Sequence, residues 1–137
     1  MASGAPVIVG SGIDVVEIAR IERALGRRGE RFERRVFTAR EIQSCRSRRR
    51  AAPHFAVRFA AKEALMKAVG TGWARGVRWV DIEVAPRPGP AADLLDLQLH
   101  GRVAEIAGRH GSVRAHLSVG RSRSHALAVV LLERVGP

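Results

Sequence analysis

The chain has 137 residues, the size of one domain with a moderate core, and its hydrophobic fraction of 46% is ordinary for a globular protein. No apolar run is long enough to span a bilayer, the start lacks the charged head and apolar centre of a signal peptide, and a single cysteine, Cys45, excludes an internal disulfide framework, so a cytoplasmic address is expected. Against 13 acidic residues stand 24 lysines and arginines, a net charge of +11 that calls for an acidic partner: nucleic acid, an anionic surface, an acidic protein or a polyphosphate.

Residues 1–6 read as a loose leader to one domain covering residues 1–137. Val7–Asp14 reads as a short buried strand ending at a carboxylate, with Gly10 and Gly12 allowing close backbone approach or unusual dihedrals. A helix over Glu17–Leu25 follows. Ile18, Ile21 and Leu25 give it an apolar face, while Arg20, Arg23 and Arg27 form a cationic stripe. Gly26 and Gly29 interrupt it before a further helical turn over Glu30–Phe37. Thr38 and Glu41 have the spacing of a capping box for a helix from Ala39 to about Ser47. Arg46–Arg50 is a basic connector. Phe55–Val69 is the strongest helical segment, apolar over most of its circumference, with Gly70 as its stop.

A glycine-rich loop through Gly72 and Gly76 leads to strands at Arg78–Val84 and Leu94–Leu99, separated by the turn at Pro86–Pro90. Gly101–Arg109 reads as a small helix, and Arg114–Val119 and Ala126–Glu133 as closing strands. The expected architecture is α+β, a mainly antiparallel sheet packed on a long central helix.

Only two of the basic residues are lysines, Lys62 and Lys67, and both lie on that central helix beside Glu63. Phe59, Glu63 and Lys67 are four apart and share a face. Glu63 and Lys67 could be no more than a helix-stabilising pair. In a helix otherwise apolar, a carboxylate between two ammonium groups also suits a divalent metal bridging phosphate oxygens. Asp14 is either the N-cap of the following helix or a second hard oxygen ligand. The five histidines show no zinc spacing, and no nucleophile elbow or Walker loop is present.

Four segments together resemble the holo-[acyl-carrier-protein] synthase family of 4′-phosphopantetheinyl transferases: Gly12–Ile18; Arg58–Lys67; Gly70–Gly72 leading to Trp79–Glu83; and His116–Val119 with Ala126–Glu133. The resemblance implies the family fold, and transfer of the phosphopantetheine arm of coenzyme A to a serine of an acyl carrier protein. It makes Asp14 and Glu63 the ligands of Mg2+, puts Lys67 on the pyrophosphate with Lys62 nearby, and gives Arg58, Gly70 and Thr71 to the coenzyme A phosphates. It further implies a homotrimer with shared active sites, and docking of a strongly acidic acyl carrier protein on Arg20, Arg27, Arg28 and Arg31. The nucleophile then comes from the partner.

One departure is evident. Where the family runs His-x-Ser-x-Ser/Thr-His, this chain ends His116-Leu-Ser-Val-Gly-Arg121. Arg121 can bind phosphate bidentately but cannot exchange a proton near neutral pH. A relative weakened in turnover, acting as a carrier-binding subunit, is the first alternative. A nucleic-acid module is the second, disfavoured because aromatic residues are only 4% and tyrosine is absent. Neither nucleic acid nor membrane is an expected partner.

Overall fold

The computed structural model describes residues 5–70, 72–73, 76–91, 94–109 and 111–136. In chain order the elements are β1 (Val7–Glu17), α1 (Ile18–Val36), α2 (Ala39–Arg46), α3 (Ala51–Val69), a 3-10 turn (Trp79–Asp81), β2 (Ile82–Pro86), β3 (Leu95–Leu99), α4 (Gly101–Ala107), β4 (Val113–Arg121) and β5 (His125–Arg134). The class is α+β, and all described pairing is antiparallel. The strands divide into a three-stranded sheet of order β1-β5-β4 and a two-stranded sheet of β2 and β3.

The long helix α3 is the axis of the molecule. It carries a dense run of Ala, Leu, Met and Phe, strong helix formers or good packers, and ends in Gly70 at φ 86°, a left-handed C-cap that other residues adopt at a cost. Apolar residues surround it because it is packed on one side by the three-stranded sheet and on others by α1, α2 and β2. The core gathers Phe37, Phe55, Leu65, Met66, Ile82, Val84 and Val130 around it. Lys67 is its one exposed residue.

The strand β1 lies against α3 more closely than any side chain would permit. A Cβ added at Gly12 would collide with the carbonyl oxygen of Ala64, and one at Gly10 with that of Ala68. Of the two uses expected for these glycines, close approach is the one found. The glycine backbone thus lies directly on the backbone of Ala64 and Ala68, and the register that results brings Asp14 to Lys67.

Four boundaries differ from the sequence expectation. The strand β1 continues to Glu17, so Asp14 sits inside it, paired with Ala128, and is not the N-cap of α1; that position is held by Glu17, with no side-chain cap. Helix α1 runs through Gly26 and breaks only at Gly29, at φ 50° and ψ −126°. Helix α3 begins at Ala51, because Pro53 is accommodated in its first turn. Trp79–Asp81 form a 3-10 turn where a strand was expected, since Asp81 turns back to accept from the backbone N–H of Arg78.

Candidate active site

Asp14 meets Lys67, and Glu63 lies one helical turn before that lysine on α3. Lys67 Nζ donates to Asp14 Oδ1 at 3.0 Å and to the Ile13 carbonyl at 2.9 Å. The lysine side chain is 54% exposed and the aspartate 16%, so the pair sits where solvent and a ligand can reach the ammonium. Glu63 is half-buried, and that burial raises its pKa above the ordinary carboxylate range; the negative Asp14 raises it further. Lys67, Arg20 and the Trp73 indole act the other way. Two carboxylates, one of which raises the pKa of the other, are a donor set whose negative charge a divalent cation relieves. Among the described residues no group of three or more His, Cys, Asp or Glu is assembled to hold a metal.

Lys62 corrects the expectation. It is 0% exposed and faces the interior. Its Nζ donates to the Val36 carbonyl at 2.6 Å, to Glu41 Oε1 at 2.7 Å and to the Trp79 carbonyl at 3.2 Å. All three hydrogens are thus used, and no ligand phosphate can reach them. Burial pulls its pKa down, and the contact with Glu41 pulls it up. Glu41 is the other half of the pair and was legible only as a capping residue. It accepts from the Thr38 N–H at 2.8 Å and the Val84 N–H at 3.0 Å as well. Arg58 is a second correction. Expected at a coenzyme A phosphate, it is 5% exposed and turned inward, donating to the His54 carbonyl and to Ser44 Oγ. Gly70 serves as the helix cap; Thr71 and the side chain of Arg28 lie outside the described residues.

Beside the carboxylates runs an aromatic stack that sequence reasoning missed. Phe59 lies 5.1 Å from Trp79, and Trp79 lies 3.7 Å from Trp73, ring centre to ring centre. The signal was present: these are the chain's only tryptophans, and both follow the helix that carries Glu63. Phe59 and Trp79, with Phe32 and Val36, floor a cleft of about 560 Å³ rimmed by Arg27, Arg31 and Arg35. The guanidinium of Arg20 sits 5.9 Å above the Phe59 ring. A second, strongly cationic pocket of about 590 Å³ lies at the other end of α3, where Arg121 and Arg123 face Arg48, Arg49, Arg50 and His54.

A sequence model described as the 4′-phosphopantetheinyl transferase superfamily matches residues 10–130. The chain belongs to that superfamily. A holo-[acyl-carrier-protein] synthase of Koribacter versatilis is 46% identical over 127 residues, covering 93% of this chain and 99% of the relative. Among solved structures, a holo-(acyl-carrier-protein) synthase from Bacillus anthracis in complex with CoA (3′,5′-ADP) is 34% identical with a TM-score of 0.74, covering 97% of this chain and 99% of that one. A Helicobacter pylori holo-[acyl-carrier-protein] synthase in complex with coenzyme A is 27% identical with a TM-score of 0.75, covering 89% of this chain and 98% of that one. The transferase match spans both β1, which brings Asp14, and α3, which brings Glu63 and Lys67.

Proposed function

We propose that this protein transfers the 4′-phosphopantetheine group of coenzyme A to a serine of an apo acyl carrier protein, releasing adenosine 3′,5′-bisphosphate. The observation that carries the reading is the convergence of Asp14, Glu63 and Lys67 beside an arginine-rimmed apolar cleft. Names of relatives along the whole chain support it, as do the coenzyme A ligands of similar structures.

In the reaction the serine oxygen of the carrier forms a bond to the β-phosphorus of coenzyme A. The bridging P–O bond breaks, and its electron pair leaves with the bisphosphate. Asp14 and Glu63 are the residues that would hold Mg2+, which when bound stabilises the charge on the phosphate oxygens. Lys67 spends two of its three donors on Asp14 and Ile13, leaving one for a pyrophosphate oxygen. The serine proton passes to Glu63 or to water.

Arg121 suits a coenzyme A phosphate. Its pocket lies about 13 Å from Glu63 along the helix, which favours a phosphate at the adenosine end. Arg20, Arg27 and Arg31, with Arg35, suit an acidic carrier protein, the apolar floor taking a hydrophobic side chain of that partner. The homotrimer draws support from an exposed apolar face on the three-stranded sheet, made by Ile13, Val15, Leu127 and Leu131.

The test is intact mass spectrometry of an apo acyl carrier protein incubated with enzyme, coenzyme A and Mg2+. The carrier is expected to gain the phosphopantetheine mass only when metal is present, and Glu63→Gln is expected to reduce the rate at least about a hundredfold. A Glu63→Gln enzyme as fast as wild type would remove Glu63 from the site.

A further inference from the structure

The chain supplies nearly all its cations as arginine, and Lys62 is one of two exceptions. Its ammonium is fully buried and lies 5.3 Å from the centre of the Phe37 ring. One of its hydrogens goes to Glu41, and the other two go to main-chain carbonyls, those of Val36 and Trp79. Val36 is the last residue of α1, and Trp79 opens the 3-10 turn before β2. Both line the arginine-rimmed cleft, and Phe59, about one turn before Lys62 on α3, lies in its floor. Lys62 itself does not line it.

The Val36 carbonyl belongs to the group at a helix C-terminus that finds no partner in the helix, and a cation is favoured there. The Trp79 carbonyl also accepts from the Ile82 N–H, so the ammonium meets the turn where β2 already holds it. Glu41 is fixed in turn by the N–H groups of Thr38 and Val84. Three tetrahedral donors on a compact head suit these three acceptors, and a planar guanidinium fork does not have that geometry. Arg31, Phe32 and Arg35 ride on the last turns of α1, so a shift of Val36 carries them with it. The stacking of Trp79 on Phe59 ties the other wall to the floor.

We infer that Lys62 is a positioning residue for carrier docking: its ammonium holds the end of α1 and the Trp79 turn at the spacing that shapes the cleft between them. The inference rests on the carrier reading given above and goes past it, since Lys62 acts from beneath the docking surface.

Lys62→Met with Glu41→Gln removes both buried charges together and keeps their volume. Binding of an apo acyl carrier protein is measured by calorimetry, and transfer by intact mass across carrier and coenzyme A concentrations. The double variant is expected to raise the Kd and the KM for the carrier about tenfold, and to keep kcat and the KM for coenzyme A within about twofold. If the double variant does not fold, Lys62→Arg carries the same comparison, because it keeps a cation beside Glu41 and changes the reach to the two carbonyls. A folded variant with wild-type affinity for the carrier overturns the assignment. So does a fall in kcat that tracks the folded fraction with both KM values unchanged, the mark of an ion pair that serves the fold alone. Wild type that leaves every apo carrier unmodified with coenzyme A and Mg2+ present overturns the transferase reading itself, and that result is read without any variant.

Discussion

The ammonium of Lys62 and the carboxylate of Glu41 form an ion pair fully removed from water, with five hydrogen bonds to backbone and to each other. Removing one partner leaves the other charge uncompensated, which costs roughly 3–5 kcal/mol, whereas replacing both can be close to neutral. Lys62→Met is therefore expected to lower the urea midpoint severely, and Glu41→Gln with Lys62→Met to recover most of it. If the double variant is as unstable as the single one, the pair is not the source of the loss. Sequence alone put Lys62 at the phosphates because it adjoins Glu63. The two side chains point about 100° apart on the helix, and only the positions of α2 and the Trp79 turn decide which of them faces inward. Asp14, Glu63 and Lys67 were legible because their spacing and type carry chemistry. The partner of Lys62, 21 residues upstream, gave no such signal.

At the scale of elements, the seam between β1 and α3 sets the site. Gly12→Ala places a methyl group against the Ala64 carbonyl and must push the strand away from the helix, taking Asp14 with it. It is expected to destabilise the fold by about 1–3 kcal/mol and to reduce transfer more than stability alone explains. Gly120→Ala meets open space and should be neutral by the same thermal unfolding measurement. Helices were read well here: the capping box at Thr38 and the Gly70 stop are both present, because such signals are local. Strand ends were read poorly. The strand β1 gains three residues through pairing with β5, a contact across more than a hundred positions that no local pattern announces. The break at Gly29 rather than Gly26 follows from φ, since only Gly29 adopts the left-handed region. It turns the second half of α1 so that Arg31 and Arg35 meet Arg27 around one cleft.

Over the whole molecule, charge and exposed apolar surface are the two properties that reach beyond one chain. His54 sits among Arg121, Arg48 and Arg58, and burial first, then these cations, lower its pKa below the ordinary 6.5. Between the lowered value and 6.5 the unfolded chain binds the extra proton, so stability should rise with pH across that window and level off above it. Urea midpoints measured from about pH 5 to 8 should show the slope, and His54→Gln should flatten it. Leu131→Glu places a charge in the middle of the apolar sheet face. In sedimentation at fixed concentration it is expected to convert the proposed trimer to slower monomers; an unchanged profile would count against this face as the subunit contact. Along β1 the side chains alternate, so Asp14 points toward α3 while Ile13 and Val15, its immediate neighbours, point outward. The proposed cation ligand and the proposed subunit contact thus lie on opposite sides of one ribbon. A preparation diluted until the proposed trimer parts should lose turnover before it loses its fold.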